Sequence, residues 1–416
     1  MWFNLPQGVR DFPPDIAEEI RTVEEYLLEE FTRWGYRRVI TPLFEYLESI
    51  SVGLGDELRD KILKFVDPAT GDVVALRPDI TPQVGRMVAV QLRDYPKPIR
   101  LCYNGRLIRF EEKGSGKERE IFQVGCELMG LSSPEADAEI IALAVRSLEK
   151  LGIKNLVLDI GHTGFLRFLL QKTGAIRKGV EEALKKKDQE ALGNAISKAS
   201  LPKSIKEVIL SLPELYGGRE ILRKAKNIRI IRKYIEELEG VLSLLDEFEV
   251  SSKINVDLGE LRGFNYYTGV TFELISPDVS SPLVRGGRYD ELLGKYGYDS
   301  PATGFAVDVE SLLGITKVHS EHGQVYFIVI PKKSDLRHEA IRIAERLRSK
   351  GYKTILELTS GLSMEKRLKE YRVLNMNLYK IVFLEAPGKI KLIEPRGGTK
   401  KGFSDVEGLI KEVAPE

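Results

Sequence analysis

A chain of 416 residues is longer than one core ordinarily supports, so two or three domains are expected. With 43% hydrophobic and 30% charged residues it reads as soluble and globular; no apolar run approaches the roughly 18 residues of a membrane span, and the opening Met1-Trp2-Phe3-Asn4-Leu5-Pro6 lacks a secretory signal's basic and apolar regions. Two cysteines, Cys102 and Cys126, and four scattered histidines give neither a disulfide framework nor metal-ligand spacing, so a reduced, cytoplasmic setting is expected, with no membrane association, metal or cofactor.

In chain order, residues 15–34 place Ile16, Ile20, Val23, Leu27 and Phe31 at helical spacing and predict an amphipathic helix, with Gly35 as its C-terminal stop. The β-rich run Tyr36-Arg37-Arg38-Val39-Ile40-Thr41 then halts at Pro42. Strands are predicted at 72–77, 99–111 and 118–129, a helix at 133–151, and strands at 156–160, 255–258 and 267–275. Residues from about 164 to 249 are rich in Lys, Glu, Leu and Ala with almost no strand signal, and read as a helical insertion. After a linker around His319-Ser320-Glu321-His322-Gly323, strands at 325–330, 354–356, 380–384 and 389–393 are interspersed with helices at 336–350 and 363–374. This pattern predicts a C-terminal α/β domain over 319–416, behind a first domain over 1–318. From Gln324 to Glu416 the chain carries 19 Lys and Arg against 12 Asp and Glu, which fits either nucleic-acid binding or a solvated basic helix face.

Four runs carry residues suited to ligand chemistry. In Leu76-Arg77-Pro78-Asp79-Ile80-Thr81, Asp79 and Thr81 project from a turn and offer an acceptor and a hydroxyl to an ammonium group, although Pro-Asp is also an everyday turn signal. Period-two alternation puts Arg109 and Glu111 on one face of their strand, and Gln123 and Glu127 on one face of the next, with Gly114-Ser115-Gly116 as the intervening turn. Four polar side chains on paired strands make either a binding floor or a solvated sheet face. In Leu261-Arg262-Gly263-Phe264-Asn265-Tyr266-Tyr267-Thr268-Gly269, Arg262 can meet a carboxylate with two parallel bonds, and Tyr266 and Tyr267 offer flat walls with polar tips; a loop with core aromatics is the alternative. In Arg285-Gly286-Gly287-Arg288-Tyr289-Asp290, two glycines permit close backbone approach or simply form a turn, and Tyr289 adds another ring.

Taken together and in this order, these runs resemble the histidyl-tRNA synthetase family. Leu5-Pro6-Gln7-Gly8-Val9-Arg10-Asp11 resembles the family's opening, and Gly35-Tyr36 through Pro42 and Glu45 resembles class II motif 1, a dimer-interface element. Arg109 through Gln123 resembles motif 2, Leu261 through Thr268 the Arg-Gly-x-x-Tyr-Tyr signature, and Pro301-Ala302-Thr303-Gly304-Phe305-Ala306 the start of motif 3. The resemblance spans residues 5 to 315, and the C-terminal domain loosely resembles an anticodon-binding domain. It implies an α+β fold: a class II aminoacyl-tRNA synthetase-like antiparallel sheet flanked by helices, with the helical insertion and the C-terminal α/β domain. It also implies a histidine pocket in which Asp79, Thr81 and Gln123 hold the α-ammonium, Glu127 with Tyr267 and Tyr289 the imidazole, and Arg262 the carboxylate, with Arg109 and Tyr266 beside them.

On the triphosphate side the pattern departs. Ser311 stands where motif 3 places an arginine, with Glu310 beside it, and Glu111-Glu112-Lys113 replaces motif 2's Glu-Arg-Pro. Loss of these cations removes charge neutralisation that adenylation requires. A kept amino-acid pocket beside a degraded triphosphate pocket resembles the regulatory subunits of ATP phosphoribosyltransferase. That resemblance implies no catalytic residue of its own, free histidine as effector, a short-form catalytic subunit as partner, and a self-dimer within a hetero-octamer, with tRNA binding not expected. An active histidyl-tRNA synthetase and a free-standing RNA- or amino-acid-binding module are the rival readings.

Overall fold

The computed structural model describes residues 4–110, 119–197, 199–259, 266–316, 326–357, 379–393 and 400–413. Its contacts divide into Met1–Lys317 and Val318–Glu416. In the first unit the helix Pro14–Arg33 buries Ile20, Val23, Leu27 and Phe31 of the stripe read from the spacing, leaves Ile16 in its first turn exposed, and stops before Gly35 with φ +85°, the left-handed conformation a helix stop favours. The strands that follow are β1 (Arg37–Arg38), β2 (Phe44–Tyr46), β3 (Lys64–Val66), β4 (Val73–Leu76), β5 (Ile99–Ile108) and β6 (Glu120–Met129). After the helix Pro134–Lys150 come β7 (Val157–His162), β8 (Tyr216–Gly217), β9 (Lys253–Asp257), β10 (Val270–Ile275), β11 (Val284–Arg288) and β12 (Ala302–Asp308).

Nine of these strands form one sheet in the order β1-β5-β6-β12-β11-β10-β7-β9-β8 among the described residues. It is antiparallel except at β1·β5 and β7·β9, so the sheet is mixed near both edges. β2, β4 and β3 make a separate small antiparallel sheet. The strand expected over 36–42 shrinks to two residues because its end is diverted. Arg77, buried at the end of β4, donates Nη1 to the Thr41 carbonyl and to Thr41 Oγ1, both at 3.0 Å, and Nε to the Arg106 carbonyl at 2.7 Å.

The Arg285-Gly286-Gly287-Arg288 run lies within β11 rather than forming a turn. A Cβ on Gly286 would approach the Gly304 carbonyl to 2.6 Å, and one on Gly287 the Val270 carbonyl to 2.6 Å. The glycines therefore serve close strand packing, and their backbone is not turned toward a ligand. The insertion is helical as expected, running from Thr163–Lys172 to Arg232–Glu247, but it also lends β8 to the sheet edge. Buried His162, at the end of β7, shares a 2.8 Å hydrogen bond with Glu237 of the helix Arg232–Glu247 and so ties the insertion to the sheet.

In the second unit β13 (Tyr326–Pro331) lies between β14 (Thr354–Leu356) and β15 (Tyr379–Ala386), parallel to both, and β16 (Lys389–Ile393) and β17 (Lys400–Phe403) continue antiparallel. The helices Arg337–Ser349 and Val406–Val413 bury Ile343, Leu347, Leu409 and Ile410 against it. The helix expected at 363–374 lies outside the described residues.

Replacing Arg77 with methionine keeps the bulk of the side chain but leaves the Thr41 and Arg106 carbonyls without their donor. The expected loss of stability is about 1–3 kcal/mol, the cost of a buried acceptor left unsatisfied. Urea unfolding of the Arg77→Met chain measures it, and an unchanged midpoint would contradict this role for the guanidinium.

Candidate ligand pocket

A cavity of about 480 Å³ opens on the face of the sheet formed by β6, β12 and β11. Its lining includes Asp79, Thr81, Arg109, Gln123, Glu127, Tyr266, Tyr267 and Tyr289, so eight of the nine residues singled out from the sequence converge in one place. The ninth, Arg262, lies outside the described residues, as do Glu111, Glu112 and Lys113. Convergence follows from register. Glu127 pairs across β12 with Gly304, and Gln123 with Asp308, so alternate residues of β6 point into the same space. Asp79 and Thr81 come from the turn between β4 and the helix Thr81–Gln91.

The chemistry centres on Glu127. Its carboxylate accepts hydrogen bonds from Thr81 Oγ1 at 2.7 Å, from the Tyr103 hydroxyl at 3.3 Å and from the Tyr289 hydroxyl. All three donors are neutral hydroxyls, and among the described residues Glu127 has no ion pair. Burial pushes its carboxyl up to about 8, against the lowering effect of those hydroxyls, and the nearby Asp79 adds to the rise. A buried carboxyl group with only hydroxyl partners holds its proton in the empty pocket; a ligand N–H, above all a cationic one, would favour the ionised form and supply the charge-assisted bond the protein does not. Gly304 makes the arrangement possible, because a Cβ there would overlap Glu127 Oε2. Neither Gly304 as a spacer nor Tyr103 is a residue the sequence marks for this site. The signal for Tyr103 is Gly125, its direct partner across β6, where a Cβ would collide with the phenol.

Asp79 forms the other pole. Tyr266 donates its hydroxyl to Oδ2 at 3.0 Å, and the Thr81 amide donates to Oδ1 at 3.3 Å. Burial raises the Asp79 carboxyl, opposed mainly by the charge of Arg109. Arg109 is itself turned onto the Pro78 carbonyl at 2.7 Å. Gln123 Oε1 is buried with no hydrogen-bond partner among the described residues, an acceptor suited to a ligand donor. Thr81, which the resemblance assigns to the ammonium end, donates its hydroxyl to Glu127 and its amide to Asp79, so it joins the two poles.

At the far end of the cavity Glu310 is ion-paired with Arg10 of the N-terminal segment. The Ser311 hydroxyl is turned back onto the Asp308 carbonyl at 2.6 Å and does not line the space. Arg285, on the cavity wall, is paired with Glu273 at 3.0 Å.

A family model described as histidyl-tRNA synthetase matches residues 8–312. The ATP phosphoribosyltransferase regulatory subunit of Geobacter sulfurreducens is 42% identical over 362 residues, covering 85% of this chain and 83% of that protein. Among solved structures, an ATP phosphoribosyltransferase regulatory subunit/histidyl-tRNA synthetase from Bacillus halodurans superposes with a TM-score of 0.79 at 28% identity, over 92% of this chain and 98% of that one. A histidyl-tRNA synthetase from Nostoc reaches a TM-score of 0.81 at 19% identity, over 99% of this chain and all of that one (100%), a likeness of fold.

The raised Glu127 carboxyl has a measurable consequence. Folded Glu127 keeps its proton up to about pH 8, whereas the unfolded group loses it near 4.5. Between those values the native state binds more protons than the unfolded chain, so this residue makes stability fall as pH rises through that window. Urea unfolding from pH 4.5 to 8 should show that decline shallower in Glu127→Gln than in the parent chain; parallel curves would contradict the buried, hydroxyl-only environment.

Proposed function

The chain belongs to the ATP phosphoribosyltransferase regulatory subunit family, within the wider histidyl-tRNA synthetase group, and from that premise we propose that it is the histidine sensor of a phosphoribosyltransferase complex. In this reading it is required for the first step of histidine biosynthesis and carries feedback inhibition by free histidine. The observation that carries it is the pairing of two buried carboxylates, Glu127 ringed by hydroxyls and Asp79 braced by Tyr266, in one cavity. Histidine has two nitrogen-bearing ends to match. Its imidazole N–H fits Glu127, its α-ammonium fits Asp79 with the open acceptor of Gln123, and Arg262 is proposed for its carboxylate.

The proposal extends to the lack of aminoacylation. A triphosphate demands cations free to meet it. Ser311 brings none, Arg10 is committed to Glu310, Arg285 to Glu273, and Arg109 to the Pro78 carbonyl beside Asp79. Exposed Ile40, Leu43, Phe44, Tyr46, Phe65 and Val66 around the small sheet support self-association within the hetero-oligomer. Feedback then requires histidine to bind two arrangements of the complex unequally, with a coupling of about 1–3 kcal/mol.

Calorimetry on the purified chain is expected to show one histidine site per chain, weakened at least tenfold by Glu127→Gln. Histidine-dependent exchange of pyrophosphate into ATP should be absent. Robust exchange would overturn the regulatory reading in favour of a synthetase, and unchanged histidine affinity in the variant would overturn the site.

A further inference from the structure

The two tyrosines of the Tyr266-Tyr267 pair make different contacts. Tyr266 is buried, and its ring stands edge-on to Tyr267, with centroids 5.1 Å apart at 61°, and to Tyr289, at 5.8 Å and 77°. Tyr289 is one of the hydroxyl donors to Glu127. The Tyr266 hydroxyl donates to Asp79 Oδ2 at 3.0 Å. One side chain therefore touches both groups, the Tyr289 ring beside Glu127 and the Asp79 carboxylate.

We propose that Tyr266 is a positioning residue whose phenolic O–H holds the Asp79 carboxylate in the orientation that receives the ligand's α-ammonium group; this rests on the histidine-sensing reading above. Asp79 has a short side chain, and its two oxygens are fixed from two sides, Oδ1 by the Thr81 amide at 3.3 Å and Oδ2 by Tyr266. Each oxygen keeps a lone pair for an incoming N–H. The groups acting on Asp79 include the Arg109 charge, the Thr81 and Ile80 amides and the Tyr266 phenol, with the Glu127 carboxyl and the Tyr103 and Tyr267 phenols also near. Arg109 acts on Asp79 by its charge while its own Nε bonds the Pro78 carbonyl, so the phenol is the one side-chain hydrogen bond to that carboxylate among the described residues. Burial drives the phenol far above its ordinary range, which keeps the proton on the oxygen as a donor. A phenylalanine would satisfy both ring contacts equally well, so the hydroxyl is what tyrosine adds.

The test compares two ligands on one protein. Histidine carries the α-ammonium; 3-(imidazol-4-yl)propionate has the same ring and carboxylate without it. In Tyr266→Phe, calorimetry should show histidine affinity reduced about ten- to a hundredfold, the range for one hydrogen bond to a charged group, with imidazolepropionate affinity unchanged. A purely structural tyrosine would lower both alike or neither, and either result overturns the proposal. The double variant Tyr266→Phe/Asp79→Asn, which leaves no buried carboxylate without its donor, guards against a chain that does not fold. It should bind histidine as Asp79→Asn alone does, and further weakening would overturn the proposal. If the parent chain binds no histidine, the sensing reading itself fails; if the parent binds and only the predicted split is missing, the failure belongs to Tyr266.

Discussion

A carboxylate enclosed by hydroxyls is the constraint on which the pocket depends. Glu127 lies on a central strand with no cation beside it among the described residues, and its carboxyl group is met by the hydroxyls of Thr81, Tyr103 and Tyr289. Such a group is expensive to bury and ionise. The fold accommodates it by placing Gly304 directly opposite and by bringing three hydroxyls from three different segments to one point. Tyr103 comes from β5, Thr81 from the start of a helix, and Tyr289 from the end of β11. The sheet order β5-β6-β12-β11 thus decides which donors can reach the carboxylate. A ligand N–H relieves the same electrostatic deficit, which gives free energy to recognition at the cost of some stability in the empty protein.

The placement of Tyr289 is itself secured from behind. Its neighbour Arg288 is buried and bonds Asp137 at 2.9 Å, Asp290 at 3.1 Å and the Leu131 carbonyl at 3.2 Å. Asp290 in turn accepts the Ala302 amide at 3.0 Å, which locks the exit of β11 to the entry of β12. Arg77 does the comparable service at the other wall, where it anchors the turn that presents Asp79. The side chains proposed for recognition are therefore flanked, one or two positions away in sequence, by arginines anchored in hydrogen-bond networks of their own, an arrangement that would preorganise a site before its ligand arrives.

Long periodic segments were legible from sequence because burial imposes a repeat. The helix over 15–34 is Pro14–Arg33, and the strand pair at 99–111 and 118–129 is β5 and β6. What escaped has physical causes. β11 is interrupted by two glycines where strands pack too closely for a side chain, so it reads as a turn, and β12, with Gly304 in the same position, shows no clear alternation. β2 and β3 are three residues each, too short for alternation to declare itself, and β17 is Lys-Lys-Gly-Phe, with little β propensity. The site was legible mainly through resemblance. Glu127 and Gln123 share a face by simple alternation, but nothing local predicts that Thr81, 46 residues before Glu127, donates to it. Tyr103 and Gly304 act by contact across strands, information that exists only once the register is set.

Histidine inhibition of a complex reconstituted from this chain and an ATP phosphoribosyltransferase catalytic subunit tests the central claim most directly. With Glu127→Gln in the regulatory chain, phosphoribosyl transfer should proceed at the parent's uninhibited rate while the histidine concentration needed for half-inhibition rises at least tenfold. Inhibition at the parent's histidine concentration would contradict the account, because the effector would then be acting somewhere other than this carboxylate.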